Sequence, residues 1–413
     1  MSRNILVGID IGTTKIFTVI AKLSKDKNSF KILGYGFSKS NGISKGVVVD
    51  VEEATFSIEK SIKEAEKMAG VKVQSAAVGI SGNHIESVTT HATVTVSKYP
   101  REITLSDKNK LEELIEGKII KLDRHIIHKI AYNYRIDDGN IVKNPIGMVG
   151  CKLDADVHIV TGIVNSIESL IKCVKSLNVN VEAIALESLV SGKSVLTDTE
   201  KKMGSVLVDI GGGTTDIAVF KNDKLIYTDV LPIGGEHFTH DIATILNIDL
   251  TTAEYLKRNL KNFLQSGDKD FIEVSTYKTS NAKKVSLSYL NSIIESRIED
   301  IIEHINKSIS KSKYMNILRS GIIITGGASK TIGLKEKVEN AFKIPTRIGI
   351  PSLEDKLPDE LKSPEAATVM GLLLYSLDKN EQNTFKREGS NNRKGIFGSI
   401  KDKIKALIDS FLE

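Results

Sequence analysis

Tryptophan is absent from this chain of 413 residues, aromatic residues make up only 5% of it, and it has two cysteines. Cys151 and Cys173 have no metal-ligand spacing and supply no disulfide framework. These absences argue against a zinc module and against a disulfide-stapled secreted domain. We therefore expect two free thiols in a reducing compartment.

Long apolar runs are missing as well. No stretch of about twenty apolar residues is present, so the sequence predicts no helix that crosses a bilayer. The start of the chain lacks the apolar run and cleavage site of a secretory signal, so none is expected. The net charge of +5 is small. No nucleic-acid-binding signature accompanies it, and we expect no nucleic-acid partner.

What the sequence does contain is the composition of a globular protein. Apolar residues make up 40% and charged residues 26% of the chain, which is ordinary for such proteins. The length predicts two or more domains. Strand and helix patterns alternate through both halves. Residues 84–162 interrupt that alternation with strands rich in Thr and Val, so we predict that they form a separate inserted lobe.

An internal repeat relates the two halves of the chain. A buried strand that ends at Asp10 is followed by Gly12-Thr13-Thr14, and a buried strand that ends at Asp209 is followed by Gly211-Gly212-Gly213-Thr214-Thr215. A second apolar strand follows each turn, which predicts two β-hairpins. A recurrence at this distance indicates a duplicated domain.

The two hairpins have the chemistry of a phosphate site. Glycines let the backbone approach an anion closely, and successive N–H groups can then point toward it. Asp10 and Asp209 can hold water on Mg²⁺, which usually keeps several of its waters. Either hairpin alone is equally consistent with a plain β-turn, but the pair indicates a clamp on phosphates. The other predicted phosphate-binding residues are Gly12, Thr13, Thr14, Lys15, Gly211, Gly212, Gly213, Thr214 and Thr215.

A third glycine motif, Gly326-Gly327-Ala328, ends another buried strand. Its small residues leave room for a flat base or a sugar beside the backbone. The G-x-x-x-x-G-K-[ST] loop is absent, and so is a G-x-G-x-x-G turn after a strand. P-loop and Rossmann folds are therefore not expected.

Two Asp-Gly-Thr hairpins followed by a Gly-Gly-Ala strand resemble the actin superfamily. Within it, the chain is similar to the FtsA family of bacterial cell-division proteins over nearly its whole length. The features that single out this family are the inserted lobe, the segment Asn144-Pro145-Ile146-Gly147 and the helix predicted at the end of the chain. The segments that carry the resemblance are 8–15, 143–147, 208–219 and 321–328.

The resemblance implies a duplicated actin-like, ribonuclease H-like α/β ATPase fold, with two lobes, a central nucleotide cleft and an inserted 1C subdomain. The hydrophilic segment 378–394 predicts a flexible linker, and an amphipathic helix is predicted over 395–413. The predicted subdomains are 1A (1–83 and 163–195), 1C (84–162), 2A (196–234 and 312–377) and 2B (235–311).

The resemblance also implies ATP and Mg²⁺ in the cleft. Glu254 and Lys257 would reach the ribose and base, although an ordinary i,i+3 ion pair explains the same spacing. In some filament-forming relatives a Glu positions the attacking water, and Glu187 is the nearest match here. Because Ser188 stands where those relatives have Pro, we expect an ATPase that is weak at most.

The end of the sequence predicts one amphipathic helix. Its apolar residues fall at spacings of three and four and share one face, and lysines at the edge of that face can reach lipid headgroups. This pattern is typical of a helix in a membrane interface. A helix docked on its own protein is the alternative, which the polar linker disfavours. The predicted membrane-contacting residues are Phe397, Ile400, Lys401, Ile404, Lys405, Leu407, Ile408, Phe411 and Leu412.

The resemblance implies a structural protein of the division machinery. Such a protein would polymerise on an anionic membrane surface as a peripheral protein, at the division site on the cytoplasmic side. It would anchor the FtsZ ring by receiving the C-terminal peptide of FtsZ on 2B, and would recruit other division proteins through 1C. The basic 2B residues expected to pair with an acidic peptide are Lys257, Arg258, Lys261 and Arg297.

Two alternatives remain open at this stage. One is a sugar or acetate kinase of the same fold, which needs a catalytic Asp for which the sequence offers no convincing candidate. The other is a protein similar to the type IV pilus assembly ATPases, a family that shares the 1C insertion but lacks the long linker and the amphipathic end.

Overall fold

The computed structural model describes residues 4–388 except 26–28, 120, 122, 267–269, 277–278, 313 and 353–356. Within these ranges the chain forms two lobes, each built on a five-stranded sheet. The predicted amphipathic helix, with its membrane-contacting residues from Phe397 to Leu412, lies outside the described residues. Among the described helices, none combines the length and hydropathy that a membrane span requires.

The first lobe begins with the predicted hairpin and the helix that covers it. Its elements are β1 (Ile5–Ile11), β2 (Lys15–Leu23), β3 (Phe30–Lys39), β4 (Ile43–Ser44), β5 (Val47–Val48), α1 (Val51–Ala69) and β6 (Ser75–Ile80). Helix α1 begins after Asp50, whose carboxylate accepts the Glu53 N–H, and ends at Gly70 in the left-handed conformation. Both helix ends were predictable, because these are the residue types that cap helices.

The inserted lobe has a sheet and a core of its own. Its elements are β7 (Ile85–Thr95), β8 (Arg101–Glu102), α2 (Leu105–Ile119), β9 (Arg124–Ile136), β10 (Val149–Gly150) and β11 (Lys152–Ile163). Strand β11 lies between β7 and β9 in an antiparallel sheet. Ile103, Leu111 and Leu153 are fully buried in a hydrophobic cluster formed within this lobe. The insertion is therefore a separately packed unit.

The chain returns to the first sheet and then builds the second lobe. These elements are α3 (Val164–Lys175), β12 (Asn180–Leu186), α4 (Glu187–Val195), α5 (Asp198–Met203), β13 (Ser205–Ile210), β14 (Thr215–Lys221), β15 (Lys224–Leu231), α6 (Gly235–Leu246), α7 (Leu250–Ser266), β16 (Phe271–Thr276), β17 (Thr279–Ser286), α8 (Leu287–Ser312), β18 (Ile322–Thr325), α9 (Leu334–Phe342), β19 (Thr346–Ile348) and α10 (Ala367–Glu388).

The two sheets have the same topology, which confirms the predicted duplication. The first has the order β12-β6-β1-β2-β3, and the second reads β19-β18-β13-β14-β15 in the same direction. In the first sheet, β1, β2 and β3 pair antiparallel, and β6 and β12 join the other side of β1 in parallel. In the second sheet, β13, β14 and β15 pair antiparallel, and β18 and β19 join the other side of β13 in parallel. The predicted fold class, a two-lobed duplicated α/β structure with an insertion, is confirmed.

The last described helix corrects two predicted boundaries. Residues 357–377, assigned from the sequence to 2A, pack on the first lobe, where Val369, Met370 and Leu373 are buried against Leu6 and Phe17. Helix α10 also continues to Glu388, so residues 378–388, predicted as linker, are helical. A helix that crosses back to the first lobe joins residues distant in sequence, and local patterns do not reveal that. We propose that the other predicted subdomain boundaries stand, with residues 357–377 moved to the first lobe and residues 378–388 added to helix α10.

Candidate functional site

The turns of the two hairpins meet tip to tip between the lobes. Both close with the same hydrogen bond: the Gly12 N–H donates to the Lys15 carbonyl at 3.1 Å, and the Gly211 N–H donates to the Thr214 carbonyl at 2.9 Å. A Cβ on Gly212 would lie 2.4 Å from Cγ2 of Thr14. Glycine is required at this tip because the opposite hairpin leaves no room for a side chain.

A cleft of about 450 Å³ opens beside these tips, a size typical of sites for small molecules. The glycines at its edge and the charged side chains at its base come from both lobes. The predicted site residues that line it are Asp10, Gly12, Thr13, Thr14, Lys15, Glu187, Asp209, Gly211, Gly212, Thr214, Glu254, Lys257, Gly326, Gly327 and Ala328.

Two predicted residues, Gly213 and Thr215, are not placed in the cleft lining. The strand register explains why, because Ile11 lies opposite Ile16 and Ile210 lies opposite Thr215. Thr215 thus corresponds to Ile16, a strand residue, and its buried hydroxyl donates to the Ile233 carbonyl at 2.8 Å. Matching the two Thr-Thr pairs by sequence misaligned the second turn by two residues.

Gly213 packs on the first hairpin instead. A Cβ at this position would lie 2.7 Å from Oγ1 of Thr13, so Gly213 shapes the contact between the two tips. In register it corresponds to Thr14, and Gly212 corresponds to Thr13. The two hairpins therefore contribute different chemistry: the first provides hydroxyl groups at its tip, and the second mostly provides backbone.

Asp10, Glu187 and Asp209 line the cleft, and a fourth carboxylate, Asp216, is buried close enough to interact with them. Burial raises the pKa of Asp10 to about 7, although the Lys15 ammonium opposes the shift, and Asp209 adds to it. Burial together with Asp10, Asp216 and Asp209 raises the pKa of Glu187 well above its usual range. Burial also raises the pKa of Asp216 to about 7. Negative charge is thus concentrated here with little fixed cation to balance it.

Asp209 is held in place by two hydroxyl groups. Oγ of Ser191 donates to Oδ2 of Asp209 at 2.7 Å, and the same hydroxyl lies 3.0 Å from Oγ1 of Thr368. Burial raises the pKa of Asp209 to about 6, against the hydrogen bonds from Ser191 and Thr368. The carboxylate is therefore oriented by α4 and α10, which both pack behind the cleft.

The donor set fits a hydrated divalent cation. In the described ranges, no group of three or more His, Cys, Asp and Glu side chains has the arrangement of direct metal ligands. Asp10 and Asp209 both line the cleft, and the pKa of each is raised. Burial disfavours the ionised form of both carboxylates, and a divalent cation would favour that form, so the pair suits Mg²⁺ bound through its own waters.

The ammonium group of Lys15 lies in the cleft near a carboxylate, a backbone carbonyl and an aromatic ring. Its Nζ lies 3.7 Å from Oε2 of Glu365, donates to the Glu365 carbonyl at 3.3 Å, and sits 4.7 Å from the centre of the Phe17 ring. Burial lowers the pKa of Lys15, and the Glu365 and Asp10 carboxylates oppose that shift. Lys15 is thus a pre-positioned cation beside the first hairpin.

Glu254 and Lys257 form an ion pair and also line the cleft. Nζ of Lys257 lies 2.6 Å from Oε2 of Glu254 and donates to the Gly235 carbonyl at 3.0 Å. Burial disfavours the charged form of Glu254, but hydrogen bonds from Lys257 and Thr239 outweigh burial and bring its pKa to about 2. Glu254 and Lys257 therefore form an i,i+3 ion pair and also line the cleft, so the ion-pair interpretation does not exclude a contact with the ribose and base.

Gly326 shows why the third motif needs glycine. Its φ is 84°, a left-handed conformation that L-residues with a Cβ adopt only at a cost. A Cβ there would lie 2.3 Å from Oδ1 of Asp209. The backbone at the end of β18 therefore lies so close to the Asp209 carboxylate that no side chain fits between them.

Sequence reasoning missed several lining residues. Gly235 and Glu236 donate their N–H groups to the carbonyls of Gly211 and Gly212 at 2.8 Å each, which joins α6 to the second hairpin. The Gly234-Gly235 pair before that helix was an available signal. The others stand in no motif. The missed lining residues are Gly235, Glu236, Arg258, Lys330, Thr331, Pro364, Glu365 and Thr368.

Comparison with known proteins identifies the family. A family model described as Cell division protein FtsA matches residues 206–371, and one described as SHS2 domain inserted in FTSA matches residues 82–161. The cell division protein FtsA of Pseudomonas aeruginosa is 37% identical over 92% of this chain and 90% of its own length. The chain belongs to the FtsA family. The FtsA of Borreliella burgdorferi is 33% identical over 94% of this chain and 95% of its own length.

Solved structures agree with an actin-like fold. The PilM–PilN type IV pilus biogenesis complex matches with a TM-score of 0.62 at 13% identity, over 90% of this chain and 98% of the matched chain. MreB5 of Spiroplasma citri bound to ADP matches with a TM-score of 0.51 at 14% identity, over 95% and 100%. At these identities the likeness shows the fold alone. The FtsA relatives therefore favour a cell-division protein over the kinase and pilus alternatives.

Proposed function

We propose that this FtsA-family protein binds ATP with Mg²⁺ between its lobes, polymerises on the cytoplasmic face of the membrane at the division site, and anchors the FtsZ ring there. The observation that carries the proposal is the convergence of both hairpins, the Gly326 turn and the buried carboxylates on one cleft. MreB5 of Spiroplasma citri, which shares the fold, has been solved with ADP and with AMPPNP. That precedent supports an adenine nucleotide as the ligand.

Each part of the cleft has a role in this proposal. The phosphates would be held by Thr13, Thr14 and Lys15 of the first hairpin and by the backbone of the second hairpin. Asp10 and Asp209 would hold Mg²⁺ through water, and the metal would supply charge neutralisation at the phosphates. Glu254 and Lys257 would contact the ribose and base, beside the small residues of the Gly326 turn. The complementarity of charge and space supports this division of roles.

Catalysis is proposed to be weak at most. Glu187 lines the cleft, but burial and the neighbouring carboxylates raise its pKa well above the usual range, which disfavours the ionised form. A protonated carboxyl cannot accept a proton from the attacking water. ATP is therefore proposed to act mainly as a ligand for conformation and assembly.

The test of the nucleotide site is Asp209→Asn, which keeps the acceptor for the Ser191 hydroxyl and removes the charge. We expect Mg²⁺-dependent ATP affinity to fall by about tenfold or more in calorimetry, which corresponds to about 1.4 kcal/mol. Asp359→Asn, at a side chain that is 94% exposed, is the matched control and should leave the affinity unchanged. Equal affinities of the Asp209→Asn protein and the parent would reject the role of this cleft.

The expected contact surface for the FtsZ peptide needs revision. Lys257 points into the cleft, and the Arg297 guanidinium already pairs with Asp241 at 2.6 Å and with Asp300. The side chain of Arg258 lies at the edge of the cleft and pairs with Glu254 at 2.6 Å, but it is still 71% exposed, and Lys261 is exposed. We therefore propose that Arg258 and Lys261 meet an acidic peptide on 2B, and that Lys257 and Arg297 serve the fold and the cleft.

A further inference from the structure

A second cavity, of about 520 Å³, lies between the inserted lobe and the second lobe. Strand β9 and the segment after it form one side, and the β14–β15 turn, α5 and the segment after α8 form the other. It shares no lining residue with the nucleotide cleft, and the descriptions of the matching family models name no ligand for it. We name it the lysine–tyrosine pocket, after Tyr132, Lys143, Lys202, Lys221, Lys224 and Tyr314, which line it.

The pocket carries an excess of positive charge. Lys143 pairs with Asp223 at 3.2 Å, and Asp223 is the one carboxylate among the described residues of its lining. Within the described part of the chain, Lys202, Lys221 and Lys224 have no ion-pair partner. Lysines that converge on a concave surface and outnumber its acids favour an anionic ligand.

The backbone holds two of these lysines together. Lys221 and Lys224 are directly opposite each other across the two-residue β14–β15 turn, and like charges in this position are destabilising. The turn is fixed to α5, because the Asn222 N–H donates to the Lys202 carbonyl at 3.1 Å. The pKa of Lys224 is lowered by desolvation and by the ammonium groups of Lys108 and Lys143. An anion between these lysines would relieve the repulsion.

Aromatic rings supply the apolar part of the pocket. The hydroxyls of Tyr132 and Tyr314 lie 3.3 Å apart, so each is used within the protein. Their rings, with Ile141, Val142 and Ile226, add apolar lining to the cationic edge. This combination suits a ligand with a charged end and a flat apolar body.

We propose that the lysine–tyrosine pocket binds a small phosphorylated molecule, with the phosphate on the lysines and a flat apolar body against the tyrosines. Lysine ammonium groups are compact charges that bind phosphate. The volume is that of a small-molecule site. An extended peptide fits less well, because the Val142 N–H already donates to the Tyr134 carbonyl at 2.8 Å and occupies the β9 edge.

The test uses pyridoxal 5′-phosphate as a probe with the full chain. A lysine amine condenses with its aldehyde, one water leaves, and added borohydride reduces the resulting C=N bond, so peptide mass spectrometry reports labelling at each lysine. We expect Lys202, Lys221 and Lys224 to be labelled about tenfold more than Lys60 and Lys63, which lie on the α1 surface, and inorganic tripolyphosphate to suppress that excess.

Three further arms make the outcome decisive. Pyridoxal, which lacks the phosphate, should label the pocket lysines no better than Lys60 and Lys63. If pyridoxal and pyridoxal 5′-phosphate label the pocket lysines equally, the proposal is overturned in favour of amine reactivity alone.

In the Lys221→Gln, Lys224→Gln protein, tripolyphosphate should no longer protect Lys202, whereas Lys60→Gln with Lys63→Gln should leave protection intact. Hexaglutamate that protects better than tripolyphosphate would overturn it in favour of an acidic peptide.

Discussion

Asp216 illustrates how burial sets the chemistry of single residues. It is buried, accepts a hydrogen bond from Oγ of Ser81 at 2.6 Å, and has its pKa raised to about 7 by that burial. The ordinary pKa is 3.8, so between these values the folded state binds more protons than the unfolded state. Stability from this group is therefore fully present below about pH 4 and is lost as the pH rises to about 7.

Asp216→Asn should consequently stabilise the nucleotide-free protein more at pH 8 than at pH 5. Asn is neutral at both pH values and can still accept from Ser81. The gain at pH 8 should be roughly 1–3 kcal/mol, because one pKa unit corresponds to about 1.36 kcal/mol. Thermal unfolding of both proteins at the two pH values measures it. An equal shift at pH 5 and pH 8 would show that the charge of Asp216 is not the cause.

Gly326 and Gly333 offer a matched pair for separating strain from contact. Both have left-handed φ values, 84° and 77°, but a Cβ on Gly326 would lie 2.3 Å from Oδ1 of Asp209, whereas nothing lies within 4 Å of a Cβ on Gly333. Gly333→Ala should cost about 1–2 kcal/mol from the backbone alone. Gly326→Ala should cost more and should also reduce Mg²⁺-dependent ATP binding. Equal unfolding free energies of the two variants would contradict the close approach.

At the scale of elements, the hairpin tips form the contact between the lobes. Gly212→Ala should lower the free energy of unfolding, because its Cβ would lie 2.4 Å from Cγ2 of Thr14. Thr14→Gly in the same chain should recover part of the loss, since it removes the obstructing side chain. Denaturant unfolding of the parent, both single variants and the double variant gives the coupling energy. Additive changes would mean that the tips do not touch.

Local patterns predicted most elements but not how distant ones meet. The hairpins, α1 and β6 were predictable because buried β-branched runs, an Asp N-cap and a Gly C-cap act locally. The β16–β17 hairpin was missed, because its sequence is polar and its cross-strand pairs include Glu273 with Lys284. The return of α10 to the first lobe was missed as well. Glu365 and Lys330 follow from that long-range geometry and have no sequence motif.

For the whole molecule, the proposed function joins a nucleotide cleft to a membrane-binding end. The sequence of residues 395–413 predicts an amphipathic helix, and about six buried apolar side chains would contribute several kcal/mol of membrane affinity. Flanking lysines would add up to about 1 kcal/mol each on anionic lipid. One helix should therefore bind reversibly, and a polymer of many chains should bind tightly through avidity.

Deleting residues 395–413 should abolish binding to anionic liposomes and leave ATP affinity unchanged, because the cleft lies within the two lobes. Phe397→Glu with Phe411→Glu should have the same effect by placing charge on the apolar face. Neutralising Lys401 and Lys405 should weaken binding less, and mainly at low salt. Co-sedimentation with liposomes measures all three. Full co-sedimentation of the truncated protein would place the anchor elsewhere.

Electron microscopy of the full chain on an anionic lipid monolayer, with and without ATP and Mg²⁺, tests the central claim most directly. We expect membrane-bound filaments with Mg²⁺ and ATP. Few or none should form without nucleotide, with the Asp209→Asn protein, or after deletion of residues 395–413. Filaments that form equally well without nucleotide and with Asp209→Asn would contradict the claim that the cleft controls assembly on the membrane.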